Sequence, residues 1–372
     1  MKKLPLFFFL PLSALVLSPG CGEKSNGVQK SQDTITEKTV SDSLRYEKEA
    51  HLSMIRQLTF GGNNAEAYFS FDNREIVFQS DFRNWNVQCD QIFAMNIDKQ
   101  NSAIPELIST GKGRTTCAYF LPGNHQIIYA STHEAGDPCP EEPPRVVDGK
   151  YVWPIFDSYE IFVHDRNAKS LLKLTKSPGY DAEATVSPDG RKIVFTSVRS
   201  GDLELWTMNT NGSGLKQITK AEGYDGGAFF SPDGSKLVYR ASRPSNPEAL
   251  KQYKDLLKKG LVQPVELEIF VCDTNGDNIT QITKLGGANW APAWHPSGQQ
   301  IVFASNHHSK TGRQFNLFIV NLDGSGLEQV TFDSVFDAFP MFSPDGKKLI
   351  FASNRFNGGG RDTNIFLADW KD

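Results

Sequence analysis

The chain has 372 residues, with 39 Lys and Arg against 43 Asp and Glu, and a formal net charge of -4. So even a balance offers no basic field for a phosphate backbone, and no nucleic-acid partner is expected. With 39% hydrophobic residues the length supports one large core, whose class is set by the patterning.

At the start, Met1-Lys2-Lys3, the apolar run from Leu4 to Leu17 and Ser18-Pro19-Gly20-Cys21 have the layout of a secretory signal over residues 1–20. The apolar run is too short to span a bilayer. Gly20-Cys21 resembles the end of a bacterial lipoprotein signal, which implies lipidation of Cys21, with ordinary cleavage nearby as the alternative. Residues 21–50 are polar and poor in aromatics, and are expected to form a flexible tether.

The remaining part covers residues 51–372. Ile55-Arg56-Gln57-Leu58-Thr59-Phe60 has the composition of a fourth strand without a first three. Six copies of one unit follow, clearest as Ser343-Pro344-Asp345-Gly346 before Leu349-Ile350-Phe351-Ala352-Ser353. The other turns are Ser70-Phe71-Asp72-Asn73, Leu121-Pro122-Gly123-Asn124, Ser187-Pro188-Asp189-Gly190, Ser231-Pro232-Asp233-Gly234 and His295-Pro296-Ser297-Gly298. Pro presets φ, while Asp, Asn and Gly suit the remaining turn geometry. A strand precedes each turn and another follows it. A third strand and a closing segment such as Gln217-Ile218-Thr219 or Gln281-Ile282-Thr283 complete the unit.

Four strands repeated at roughly 40 to 50 residues predict an all-β, six-bladed β-propeller of antiparallel blades. The last copy stops after its third strand, so the N-terminal strand is expected to complete it, pairing Leu58 with the strand around Phe366 and closing the ring.

In such blades the loops alternate between two faces. The Ser-Pro-Asp-Gly turns lie on one face. The long connections lie on the other: 133–158 in blade two, 243–265 in blade four, 306–314 in blade five and 354–363 in blade six. Insertions gathered on one side of a rigid scaffold point to a binding face. The blade-four insertion carries Leu250, Tyr253, Leu256 and Leu257 at helical spacing, starts at Pro247 and stops at Gly260, which predicts a short amphipathic helix. The blade-two insertion is stiffened by Pro138, Pro140, Pro143 and Pro144 before Tyr151-Val152-Trp153-Pro154, whose aromatics either cover the channel mouth or form a stacking surface.

The candidate ligand-binding residues on this face are Arg83, Arg114, His133, Trp153, Arg199, Asp225, Arg243, Trp290, His307, Asp337 and Arg355. A ring of mixed charge binds a carboxylate, a chain terminus or a sugar acid, or else forms structural ion pairs. His133, His307 and His308 have no spacing that specifies a metal, and no metal or cofactor is expected. Apart from Cys21, the cysteines are Cys89, Cys117, Cys139 and Cys272. Cys272 reads as a buried small hydrophobe. A disulfide pinning the blade-two loop through Cys139 is expected, with Cys89 or Cys117 as partner.

No Gly-x-Ser-x-Gly, no His-Glu-x-x-His and no phosphate-binding glycine motif occurs, so no catalytic residue is assigned. Ser-Pro-Asp-Gly before Lys-Ile-Val-Phe-x-Ser, followed by Asp-Gly before Gln-Ile-Thr, resembles the repeat of TolB-like propellers from Ile55 to Trp370. That resemblance implies an exported envelope protein that binds another envelope protein or a small ligand at the loop-rich face. It also implies a location at the bacterial periplasm or cell exterior. A monomer that touches the membrane through its lipid anchor only is expected. The TolB pattern has an α/β domain before the propeller, whereas here only the tether precedes it. Within the same resemblance stand a lyase acting on sugar acids at the channel mouth and an accessory propeller of an exported peptidase.

Overall fold

Each copy of the repeat forms one four-stranded antiparallel sheet, and six such sheets build a β-propeller in the computed structural model, which describes residues 42–98, 104–334 and 336–372. The signal segment 1–20, Cys21 and most of the expected tether lie outside the described residues. The first strands of blades one to six are Asn64–Phe69, Thr115–Phe120, Asp181–Val186, Asp225–Phe230, Asn289–Trp294 and Asp337–Phe342. Each leads through its turn into a second strand whose central aromatic is fully buried: Phe78, Tyr129, Phe195, Tyr239, Phe303 and Phe351. Burying one such ring stabilises the fold by about 2 to 3 kcal/mol, which makes the Val/Ile-Val/Ile-Phe run the main adhesive between blades.

The turn sequence has a common backbone cause. Its fourth residue has positive φ in every blade: 61° at Asn73, 63° at Asn124, 69° at Gly190, 73° at Gly234, 71° at Gly298 and 73° at Gly346. Only Gly and Asn visit that region cheaply, which is why just those two residues appear there. Where Ser opens the turn, its hydroxyl donates to the Asp carboxylate, as from Ser343 to Asp345 at 2.7 Å, and accepts the N–H of Lys348 at 2.9 Å.

The Gln-Ile-Thr signature also has a cause. The outer strands are shorter than the pattern suggests, only Lys216–Gln217, Thr280–Gln281 and Glu328–Gln329 in blades three to five. Beyond them a hydroxyl takes over the ladder. The third-strand N–H groups of Ile92, Ile161, Leu205, Ile269, Leu317 and Ile365 donate to Ser109, Thr175, Thr219, Thr283, Thr331 and Thr59 at 2.8 to 3.0 Å. The Gln two places earlier braces the bend, as Gln281 Nε2 donates to the Thr283 carbonyl at 2.8 Å.

Blade six closes as expected. Leu52–Gln57 pairs antiparallel with Asn364–Trp370, with Gln57 opposite Phe366, and the Leu58 N–H donates to Ile365 O at 2.8 Å. This strand starts earlier than the pattern placed it. Residues just before His51 also pack. Asp42–Leu44 forms a 3-10 turn, and Glu49 is fully buried because it binds Arg355, so the packed chain begins before His51.

Candidate functional site

Loop-face ends of the blades carry a repeated polar staple. The first residue of each first strand stands opposite the end of the second, as in Asp181↔Ser197, Asn289↔Ser305 and Asp337↔Ser353. Two residues after that position, blades two to six supply a cation or an imidazole. Arg199 donates to Asp181 at 2.6 Å and to Ser197 at 2.8 Å. Arg243 donates to Asp225 at 2.5 Å. Arg355, 1% exposed, donates to Asp337 at 3.2 Å and to Glu49 at 2.9 Å. His133 and His307 each bond their own serine, Ser131 and Ser305, at 2.8 Å, and burial holds both imidazoles below their ordinary range.

These seven candidates are therefore blade staples, their charges consumed inside the protein, and the two histidines stand in opposite blades. The physical reason is that a buried charge needs a partner close by, and the repeat provides one in the same sheet. Asp225 also lies beside Glu204, and burial raises both carboxyl groups, to about 6 and about 8. Among the described residues no group of three or more His, Cys, Asp or Glu is placed to hold a metal. Arg83 lies exposed in the 3-10 turn Arg83–Trp85.

The two long insertions meet. The blade-four segment forms a helix over Pro247–Leu257, capped by Asn246, whose side chain accepts from the Glu248 and Ala249 N–H groups. Tyr253 and Leu256 form its buried face. Beyond Gly260, Leu261 and Val262 pair with Pro154 and Trp153 of the blade-two insertion, and Ile155 N–H donates to Gly260 O at 2.7 Å. Val152, Leu256 and Leu261 share a small core. The blade-two insertion is thus a strap crossing towards blade four, and Trp153 reaches Trp290 of blade five. Tyr151, by contrast, is exposed.

Cys139, in the strap, is bonded to Cys89. Cys117 is a free thiol, so the alternative pairing is excluded, because Cys117 lies mid-strand in the channel wall. Arg114 adds a second tie from the strap to the ring, through ion pairs to Asp90 and Glu142. Between strap and helix lies a groove of about 730 Å³, lined among others by Phe156, Tyr180, Leu257, Lys254, Lys258 and Lys259.

Beneath the strap is the channel. At the third position of each first strand the ladder is interrupted by a bulge with positive φ, at Glu66, Cys117, Glu183, Gly227, Ala291 and Phe339. All six retain accessible surface, although most of their chain neighbours are buried, which defines a lumen. Tyr68 and Phe229, from opposite blades, meet at 5.4 Å, and Tyr119 joins them, so aromatics form its floor. Trp153, Trp290 and Phe339 form the roof.

Inside, Glu183 pairs with Arg240, accepts from the Gly227 N–H at 2.8 Å and from Thr196 at 2.6 Å. Burial opposes ionisation, but Arg240 and these bonds override it and keep the Glu183 carboxyl below its usual range. Gly226 and Gly227 make this possible. A Cβ on Gly226 would stand 2.5 Å from a Glu183 oxygen, and one on Gly227 1.9 Å from Arg240 Nη1. Arg240 is absent from the sequence-level candidates. Its signal was visible as a Gly-Gly pair in one first strand, opposite an Arg where three other blades have Ala in the second.

The family model of the TolB β-propeller domain matches residues 155–260 and 261–367. A TolB structure from Agrobacterium tumefaciens superposes with a TM-score of 0.57 at 17% identity, covering 86% of this chain and 97% of that one. TolB from Acinetobacter baumannii gives 0.51 at 17% identity, over 83% of this chain and 64% of that one. An oligogalacturonate lyase in complex with manganese gives 0.49 at 14% identity, over 86% and 93%. At these identities the likeness is one of fold. No curated protein matches. With more than half its length in the two matched stretches, the chain belongs to the TolB β-propeller domain family.

Proposed function

We propose that this protein is a noncatalytic binding scaffold of the bacterial envelope, and that a partner protein or small anionic ligand engages the groove between strap and helix. The observation carrying this reading is the ladder of Trp153 and Pro154 on Val262 and Leu261, which fuses insertions from two non-adjacent blades into one surface. That surface has apolar Phe156, Tyr180 and Leu257, and its three lysines, Lys254, Lys258 and Lys259, outnumber its two carboxylates, Glu141 and Asp157. Such a combination favours a carboxylate-bearing ligand. In this reading Cys21 carries the lipid anchor, the propeller works as a monomer, and nucleic acid is no partner.

A photo-crosslinking residue at Lys258, in the full-length protein, tests it. A discrete adduct in envelope extracts that disappears on Lys254→Glu with Lys259→Glu supports the groove. An unchanged adduct, or none, speaks against it.

A further inference from the structure

The lumen holds a carboxylate that the blade staples do not use. Glu66, in the bulge of blade one, has one oxygen, Oε2, buried without any hydrogen-bond partner, and the Cys117 thiol of the neighbouring bulge lies close to its carboxyl. The charged and titratable groups facing it are Cys117, Glu183, Arg240, Asp90, Tyr68 and Tyr159. Arg240 is already committed to Glu183 and Tyr224, and its guanidinium stands 4.9 Å from the Tyr224 ring centroid and 5.8 Å from that of Trp153. Two carboxylates and one guanidinium thus leave the lumen one positive charge short whenever Glu66 is ionised. Tyr68, Tyr119 and Phe229 supply aromatic rings at one end and Trp290 and Phe339 at the other, and Gly227, with no side chain, stands at the equivalent bulge of the opposite blade.

An unpaired acceptor, a missing positive charge and aromatic surroundings have one chemical complement. We infer that the lumen binds a primary ammonium group, with Glu66 as its counter-ion and the aromatic rings as cation–π partners. An ammonium matches both the hydrogen-bonding need and the charge, whereas a neutral water supplies only the first. The same chemistry arises from a free small amine or from the amino terminus of a peptide. Either enters past the strap, whose ladder to the blade-four insertion is only two residue pairs long.

Free Glu66 is raised by burial to about 7, so binding that requires its carboxylate is coupled to proton loss. Isothermal titration of the full-length protein with ethylamine, and with a hexapeptide bearing a free amino terminus, is run at pH 6 and pH 8. Binding is expected at pH 8, about tenfold weaker at pH 6 with release of close to one proton, and lost in Glu66→Gln at both pH values. Glu66→Gln is expected to melt no lower than the wild type at pH 8. If it does not fold, Glu66→Asp serves, with affinity at least about tenfold weaker. Heat from ethylamine identifies a free amine, and heat from the free-amino peptide alone, absent with its acetylated form, identifies a chain end. Absence of binding by either probe at pH 8, binding unaffected by Glu66→Gln, or a response to potassium chloride alone overturns the inference.

Discussion

Trp153 and Trp290 come from opposite blades, two and five, yet their rings meet 5.5 Å apart at an angle of 65°. A contact spanning the ring at its loop-rich end turns an open channel into a roofed chamber, and it joins the strap to the Phe339 ring through Trp290.

Replacing Trp153 with Ala therefore unroofs the chamber. The loss of a partly buried ring is expected to cost about 2 kcal/mol. Acrylamide quenching of the remaining tryptophans should rise, dominated by Trp290, which is only 8% exposed in the intact protein. Unchanged quenching would show that the strap does not shield it.

Glu49 anchors the chain before the closing strand to Arg355, with both side chains fully buried. Glu49→Ala removes one of the guanidinium's two paired carboxylates and leaves Asp337 as the other, and is expected to lower stability by about 3 kcal/mol in urea unfolding. Glu49→Gln, which keeps hydrogen bonding to Arg355, should lose less. If residues up to 50 were only a tether, neither change would matter.

The Cys89–Cys139 bond closes a sequence separation of 50 residues and fixes the strap to blade one. Cys89→Ser with Cys139→Ser is expected to cost about 4 kcal/mol by the chain-entropy relation. Local loosening should expose Arg145 and Lys150 to trypsin first, and cleavage there without reductant in the wild type would contradict it.

Glu66 is raised by burial to about 7, and the Glu204–Asp225 pair is raised by burial as well. A carboxyl whose folded pKa lies above its unfolded value binds its proton more tightly in the native state, so stability declines as pH rises from about 4.5 through those values. Denaturation between pH 5 and pH 8.5 should show that slope, and Glu66→Gln with Glu204→Gln should flatten it. A slope identical in the variant would refute the assignment.

Much of the fold was legible because the repeat is written in turn chemistry: Gly or Asn at a left-handed position and a Val-Phe strand after it leave few alternatives. The site was less legible. Arg199, Arg243 and Arg355 look functional in sequence because they end strands on the varied face, yet each has its acid one strand away in the same blade. Pairing across a sheet is invisible until register is known. Arg240 escaped notice for the opposite reason: it sits mid-strand, where a charge is unexpected, and its room comes from Gly226 and Gly227 in a different strand.

The six hydroxyls that take over from the outer strands have a further consequence. By ending each ladder after two to four residues in blades one to five, they leave little bare backbone at the perimeter for another chain to pair with. The cylinder's flank is thereby protected against edge-to-edge stacking, and the Thr→Val replacements that look harmless by shape would be the ones to invite it.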